Sequence, residues 1–146
     1  MPVKKSRQIA AKKSKVWAAL ADFPAIVTWA PNVDHSTAAT VAHGGIGAVR
    51  RVQTGRITLL ETIVDWQPEE QLGYTLDGLP KIAGSVVTTW QLAEQDDGTH
   101  VTVTTAIHPR PNPAGRIVAR ALGRRLAKAA TQMLAGLADH VEEKTQ

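Results

Sequence analysis

The sequence has no cysteine and, in 146 residues, only one tyrosine, one phenylalanine and two methionines. Without cysteine there can be no disulfide framework and no thiolate metal site, which fits a reducing compartment, and a cytoplasmic location is expected. No stretch approaches the roughly 18 consecutive apolar residues needed to span a bilayer, so no membrane span is expected. The basic start from Met1 to Lys5 runs into Ser6, Arg7 and Gln8 rather than an apolar leader core. No Ser, His, Asp set with nucleophile-elbow glycines is present. His43-Gly44-Gly45 lacks the lysine and the following helix of a phosphate loop. His35 and His108 share no spacing with a third ligand, so neither a metal nor any other cofactor is expected. The net charge of +4 lies in the Lys4 to Lys15 region and near the C-terminus, without the aromatic interleaving of an RNA-binding sheet, and nucleic-acid binding is not favoured.

What the chain does have is one long helical pattern. Ile117, Val118, Ala121, Leu122, Leu126, Ala129, Ala130, Met133, Leu134, Leu137 and Val141 recur at three- and four-residue steps and predict an amphipathic helix from about Pro113 to Val141. Asn112 and Pro113 suit its first turn, by side-chain capping and by a proline that forfeits no hydrogen bond. At about 1.5 Å per residue it is roughly 40 Å long and crosses a small domain. Arg116, Arg120, Arg124, Arg125 and Lys128 are placed on the opposite face, as solvated charges or as a docking surface for an acidic partner or anionic lipid. Gly115, Gly123 and Gly136 each cost roughly 1 kcal/mol of helix stability relative to alanine, which points to close approach, to a cavity or to simple tolerance.

Before the helix the period is that of strands. Val3 to Ala11 reads as a first strand, followed by a short helix capped by Ser14 with Val16, Trp17 and Leu20 inward, and a second short helix from Pro24 to about Pro31. Strands are then expected over Val33 to Val41, Ala48 to Thr54, Ile57 to Trp66, Gln71 to Leu76, Gly84 to Ala93 and Thr99 to His108, with Asp96-Asp97-Gly98 as a hairpin turn. A meander this long must hide its apolar face, and one long helix is available to cover it. The chain of residues 1–146 is therefore expected to form one α+β domain in which a seven-stranded curved antiparallel sheet wraps around the C-terminal helix, with two short helices after strand one. With so few aromatic rings, the space between the layers is poorly filled.

Several segments together carry a family resemblance: Ser14 to Phe23, Trp29-Ala30-Pro31-Asn32-Val33, Gly45 to Arg50, Glu61 to Asp65, Gln71-Leu72-Gly73-Tyr74 and Gly98-Thr99-His100-Val101. In their order and spacing the chain resembles the START-like, Bet v 1-like (SRPBCC) helix-grip domains, and among them the bacterial polyketide cyclase/dehydrase and lipid-transport group. The resemblance implies a deep, mostly apolar cavity between sheet and long helix that takes lipids, polyketides or similar ligands, and it implies no single reaction.

The candidate site follows from the strand pattern. Glu61 alternates with Leu59 and Ile63, so it shares a face with apolar residues, and Arg50 on the neighbouring strand can pair with it inside. The alternative is an outward Glu61 paired with Arg51 or Arg56. Trp29, Tyr74 and Trp90 are read as ligand-packing rings or as plain core, and Trp17 as core. His35, Ala130 and Met133 complete the expected ligand-binding set of Trp29, His35, Arg50, Leu59, Glu61, Ile63, Tyr74, Trp90, Ala130 and Met133. Access is expected near Gly78 to Gly84 and Pro109 to Asn112. Three functions fit: binding, carrying or sensing an apolar small molecule as a monomer or homodimer; a cyclase or dehydratase using Arg50, Glu61 and Tyr74; or an interaction module with a vestigial cavity.

Overall fold

The structure, a computed structural model, describes residues 2–142 apart from the side chain of Ile82. Strand β1 (Pro2–Ile9) leads into helix α1 (Lys13–Ala21) and a 3₁₀ helix (Phe23–Thr28). Strands β2 (His35–Ala38), β3 (Val49–Thr54), β4 (Ile57–Gln67), β5 (Gln71–Asp77), β6 (Ser85–Gln95) and β7 (Gly98–His108) follow, and helix α2 (Pro113–Glu142) closes the chain. The strands form one seven-stranded sheet in the order β1-β7-β6-β5-β4-β3-β2, with every pair antiparallel. This is the helix-grip arrangement that the sequence predicts.

Local chemistry sets these boundaries. Asn112 Oδ1 accepts the Gly115 N–H at 2.6 Å and caps α2. The turn between β6 and β7 places Asp96 and Asp97 at positive φ, and Gly98 opens β7 because a Cβ there would lie 2.4 Å from the Ile9 carbonyl oxygen. Other expectations are corrected. Helix α1 starts at Lys13, so Ser14 sits inside its first turn, and the Lys12 carbonyl instead takes the Lys15 and Val16 amides at 3.0 and 3.1 Å. The Pro24 helix is a 3₁₀ turn kinked at Ala25. Strand β2 stops at Ala38, short of Val41, where the Thr40 hydroxyl takes over the Val49 amide at 3.0 Å.

The inner face holds two apolar clusters. The larger joins Val16, Phe23, Trp29, Ile63, Trp90, Val101 and Val103 to Ala130, Leu134, Leu137 and Val141 of α2. The smaller joins Val86 and Ile107 to Ala119 and Leu122 nearer the start of that helix. Between them on β6 and β7 stand Thr88 and Thr105, directly paired across the strands. A cross-section of small polar residues between two packed clusters leaves a gap, and the cavity begins there.

Candidate ligand cavity

The gap opens into a cavity of about 790 Å³ between the sheet and the first two-thirds of α2. A volume of this size lies within the range typical of small-molecule sites, roughly 300–1,000 Å³. Its sheet wall is made by Val52, Leu59, Glu61, Tyr74, Leu76, Thr88 and Thr105, and its helix wall by Val118, Leu122, Leu126, Ala129 and Met133. Ile26, Asn32 and Val33 close one side. The exposed lining residues Gly55, Arg56, Pro80, Ala121 and Arg125 define a mouth between the β3–β4 turn, the loop before β6 and the helix. The 78–84 loop thus flanks the mouth as expected, through Leu79 and Pro80, whereas residues 109–112 do not line the cavity.

The polar centre of the wall comes from three strands in register. Arg50 on β3 stands directly opposite Glu61 on β4, and both side chains point inward, 2% and 5% exposed. Arg50 donates its Nε–H to one carboxylate oxygen, Glu61 Oε1, at 2.8 Å, brings Nη2 to 2.7 Å from the same oxygen in an ion pair, and donates its Nη1–H to the Phe23 carbonyl at 2.9 Å. Its guanidinium carbon lies 3.7 Å from the Phe23 ring centre and 4.7 Å from that of Tyr74, so the chain's single phenylalanine and single tyrosine flank the same cation. A buried charge is tolerable only with such full compensation. Glu61 Oε2, by contrast, has no protein partner among the described residues.

Tyr74 sits beside this pair. Its oxygen accepts the Trp90 Nε1–H at 3.1 Å, and its own proton has no acceptor among the described residues. Burial, reinforced by the Glu61 charge, pushes the phenol up to about 12. Thr88 and Thr105 share one hydrogen bond at 3.1 Å, which leaves hydroxyl capacity for a guest. The lining therefore offers one carboxylate acceptor, one phenol donor, two adaptable hydroxyls and the buried, unpartnered amide oxygen of Asn32 in an apolar setting.

Of the residues expected at the site, Leu59, Glu61, Tyr74 and Met133 line the cavity, and Arg50 lies behind Glu61 as its support. Trp29, Ile63, Trp90 and Ala130 are buried in the larger cluster outside the lining, with Trp29 edge-on to Trp90 at 5.8 Å. His35 is exposed on the edge strand β2, away from the cavity. Arg125, read from the sequence as part of the solvent face, is in the lining, because it stands three residues after Leu122 and four before Ala129. Thr88 and Thr105 line the cavity without being among the residues the sequence predicts there. The signal for Thr105 was a hydroxyl within the inward series Val101, Val103, Thr105, Ile107.

The fold is shared by proteins of remote sequence. A solved structure from Thermobifida fusca superimposes with a TM-score of 0.82 at 23% identity, covering 99% of this chain and 95% of that one. The Zhui aromatase/cyclase from a Streptomyces species gives 0.81 at 17% identity, covering 100% and 96%. Ara h 8.0201 gives 0.74 at 16% identity, covering 99% of both chains. No curated protein sequence matches the chain. The family model described as polyketide cyclase / dehydrase and lipid transport matches residues 2–142. With nearly its whole length accounted for by that model, the chain belongs to the polyketide cyclase/dehydrase and lipid transport family.

Proposed function

We propose that this chain acts as one ligand-binding domain that holds an apolar small molecule carrying a hydroxyl group, as a carrier, store or sensor of a lipid-like or polyketide-like compound. The observation that carries the reading is the one-sided pairing of Arg50 and Glu61. The Nε–H hydrogen bond and the closest ion-pair contact both fall on Oε1, while Oε2 is left to an apolar cavity where an unpaired charged acceptor is costly. A guest hydroxyl can donate to Oε2 and accept from Tyr74, which satisfies both groups at once. The similarity to an aromatase/cyclase fits a polyketide-like guest, but an acid or base near neutrality serves proton transfer best. A phenol held to about 12 meets that requirement poorly, which favours binding over turnover.

The test compares 2-naphthol with 2-methoxynaphthalene, which lacks the donor, by calorimetric titration. Wild type should prefer 2-naphthol by about tenfold, the worth of one hydrogen bond to a charged acceptor. Glu61→Gln keeps an oxygen for Arg50 and turns an N–H₂ toward the guest, so the preference should vanish. Equal binding of both compounds to wild type would refute the anchor.

A further inference from the structure

The mouth of the cavity differs in charge from its interior. Arg56, in the turn before β4, and Arg125, on the cavity side of α2, both contribute to the lining and both remain exposed. Neither makes a salt bridge or side-chain hydrogen bond among the described residues. Asp34, whose carboxylate accepts the N–H of the preceding residue, Gly55, at 2.7 Å, forms no ion pair with Arg56. Within the lining the only acid is Glu61, already neutralised by Arg50.

The position of Arg125 makes this more than surface decoration. The solvent face of α2 already carries Arg116, Arg120, Arg124 and Lys128, so solubility does not require a further cation among Val118, Leu122, Leu126 and Ala129. No aspartate or glutamate occurs in α2 before Asp139. Long arginine stems can cover an apolar wall while their guanidinium groups stay at the water boundary, where a carboxylate can be bound by charge-assisted hydrogen bonds.

Resting on the proposed reading of the cavity, we infer that the natural guest is an anionic amphiphile whose carboxylate sits at the mouth between Arg56 and Arg125, with its apolar body inward toward Glu61 and Tyr74. Two polar ends separated by apolar walls then fix the direction in which the guest enters.

Displacement of a bound neutral probe, N-phenyl-1-naphthylamine, by dodecanoate and by its methyl ester, which has neither charge nor hydroxyl, tests this. Probe binding reports on the cavity itself, and the ratio of the two competitors reports on the rim. Dodecanoate should compete about tenfold better than methyl dodecanoate at low salt, and the advantage should shrink at about 0.5 M salt. In the Arg56→Gln, Arg125→Gln double variant the ratio should approach one. A wild-type ratio near one, or a preference that survives the double substitution, overturns the inference while the probe signal still stands for the cavity. Absence of probe binding to wild type overturns the cavity reading first.

Discussion

Arg50 meets a single oxygen of Glu61 twice, by an Nε–H hydrogen bond at 2.8 Å and an Nη2 ion-pair contact at 2.7 Å, and donates to the Phe23 carbonyl, so one buried cation ties β3 to β4 and to the 3₁₀ helix. Removing the acid alone leaves that cation uncompensated. Glu61→Ala should cost about 3–5 kcal/mol in denaturant unfolding, whereas Arg50→Met with Glu61→Leu should cost about 2 kcal/mol, mainly from the orphaned Phe23 carbonyl. Equal losses of under 1 kcal/mol in both would mean that the pair is not buried in solution.

Tyr74 supplies a pH signature. In the folded chain its phenol is held to about 12, against an ordinary 10.0, because burial opposes the phenolate. Between those values the folded state keeps a proton that the unfolded chain has lost. Its contribution is therefore complete below about pH 10 and falls as pH rises toward 12, by up to about 3 kcal/mol. As the only tyrosine, it can be followed by phenolate absorbance alone, and Tyr74→Phe should flatten the alkaline limb of the stability curve. A midpoint near 10 in the folded protein would contradict its burial.

Two helix glycines should respond in opposite directions. A Cβ at Gly136 would meet the Trp29 carbonyl oxygen at 2.1 Å and Pro31 Cδ at 2.6 Å, so this glycine lets α2 cross the Trp29 to Pro31 segment. At Gly123 the nearest atoms, from Ile107 and Val3, lie at 3.7 and 3.8 Å. Gly136→Ala should destabilise by about 2 kcal/mol, and Gly123→Ala should stabilise by about 0.5–1 kcal/mol through helix propensity. Thermal melts of the two variants check both signs.

How much of this was legible in the sequence differs from element to element. Helix α2 and strands β3 to β7 were readable because their periods are long and their turns chemically explicit, as at Asp96-Asp97. The inward pairing of Arg50 and Glu61 was readable as one of two registers. A single local irregularity shows why β4 was harder: a bulge between Ile63 and Asp65 breaks the alternation. Beyond it Trp66 packs edge-on against Trp17 at 5.1 Å, and Asp65 hydrogen-bonds Gln67 and Gln71, which hold its carboxyl below the usual range. The cavity itself was implied by scarce aromatics and by the family resemblance, without its outline. Its outline depends on which rings pack against each other, and Trp29 and Trp90 fill the core cluster rather than the cavity wall, a tertiary choice that no local pattern encodes.

The cavity as a ligand site is tested most directly by titrating 2-naphthol into wild type and into Met133→Trp. Met133 lines the cavity and is half-buried, so an indole there should occupy the space, whereas Ala130, fully packed, would only be overfilled. Wild type should show saturable one-site binding with a negative heat-capacity change from apolar burial, and Met133→Trp should lose at least about tenfold in affinity while keeping a cooperative melt. Unchanged affinity in a folded Met133→Trp, or no saturable binding to wild type, would contradict the account.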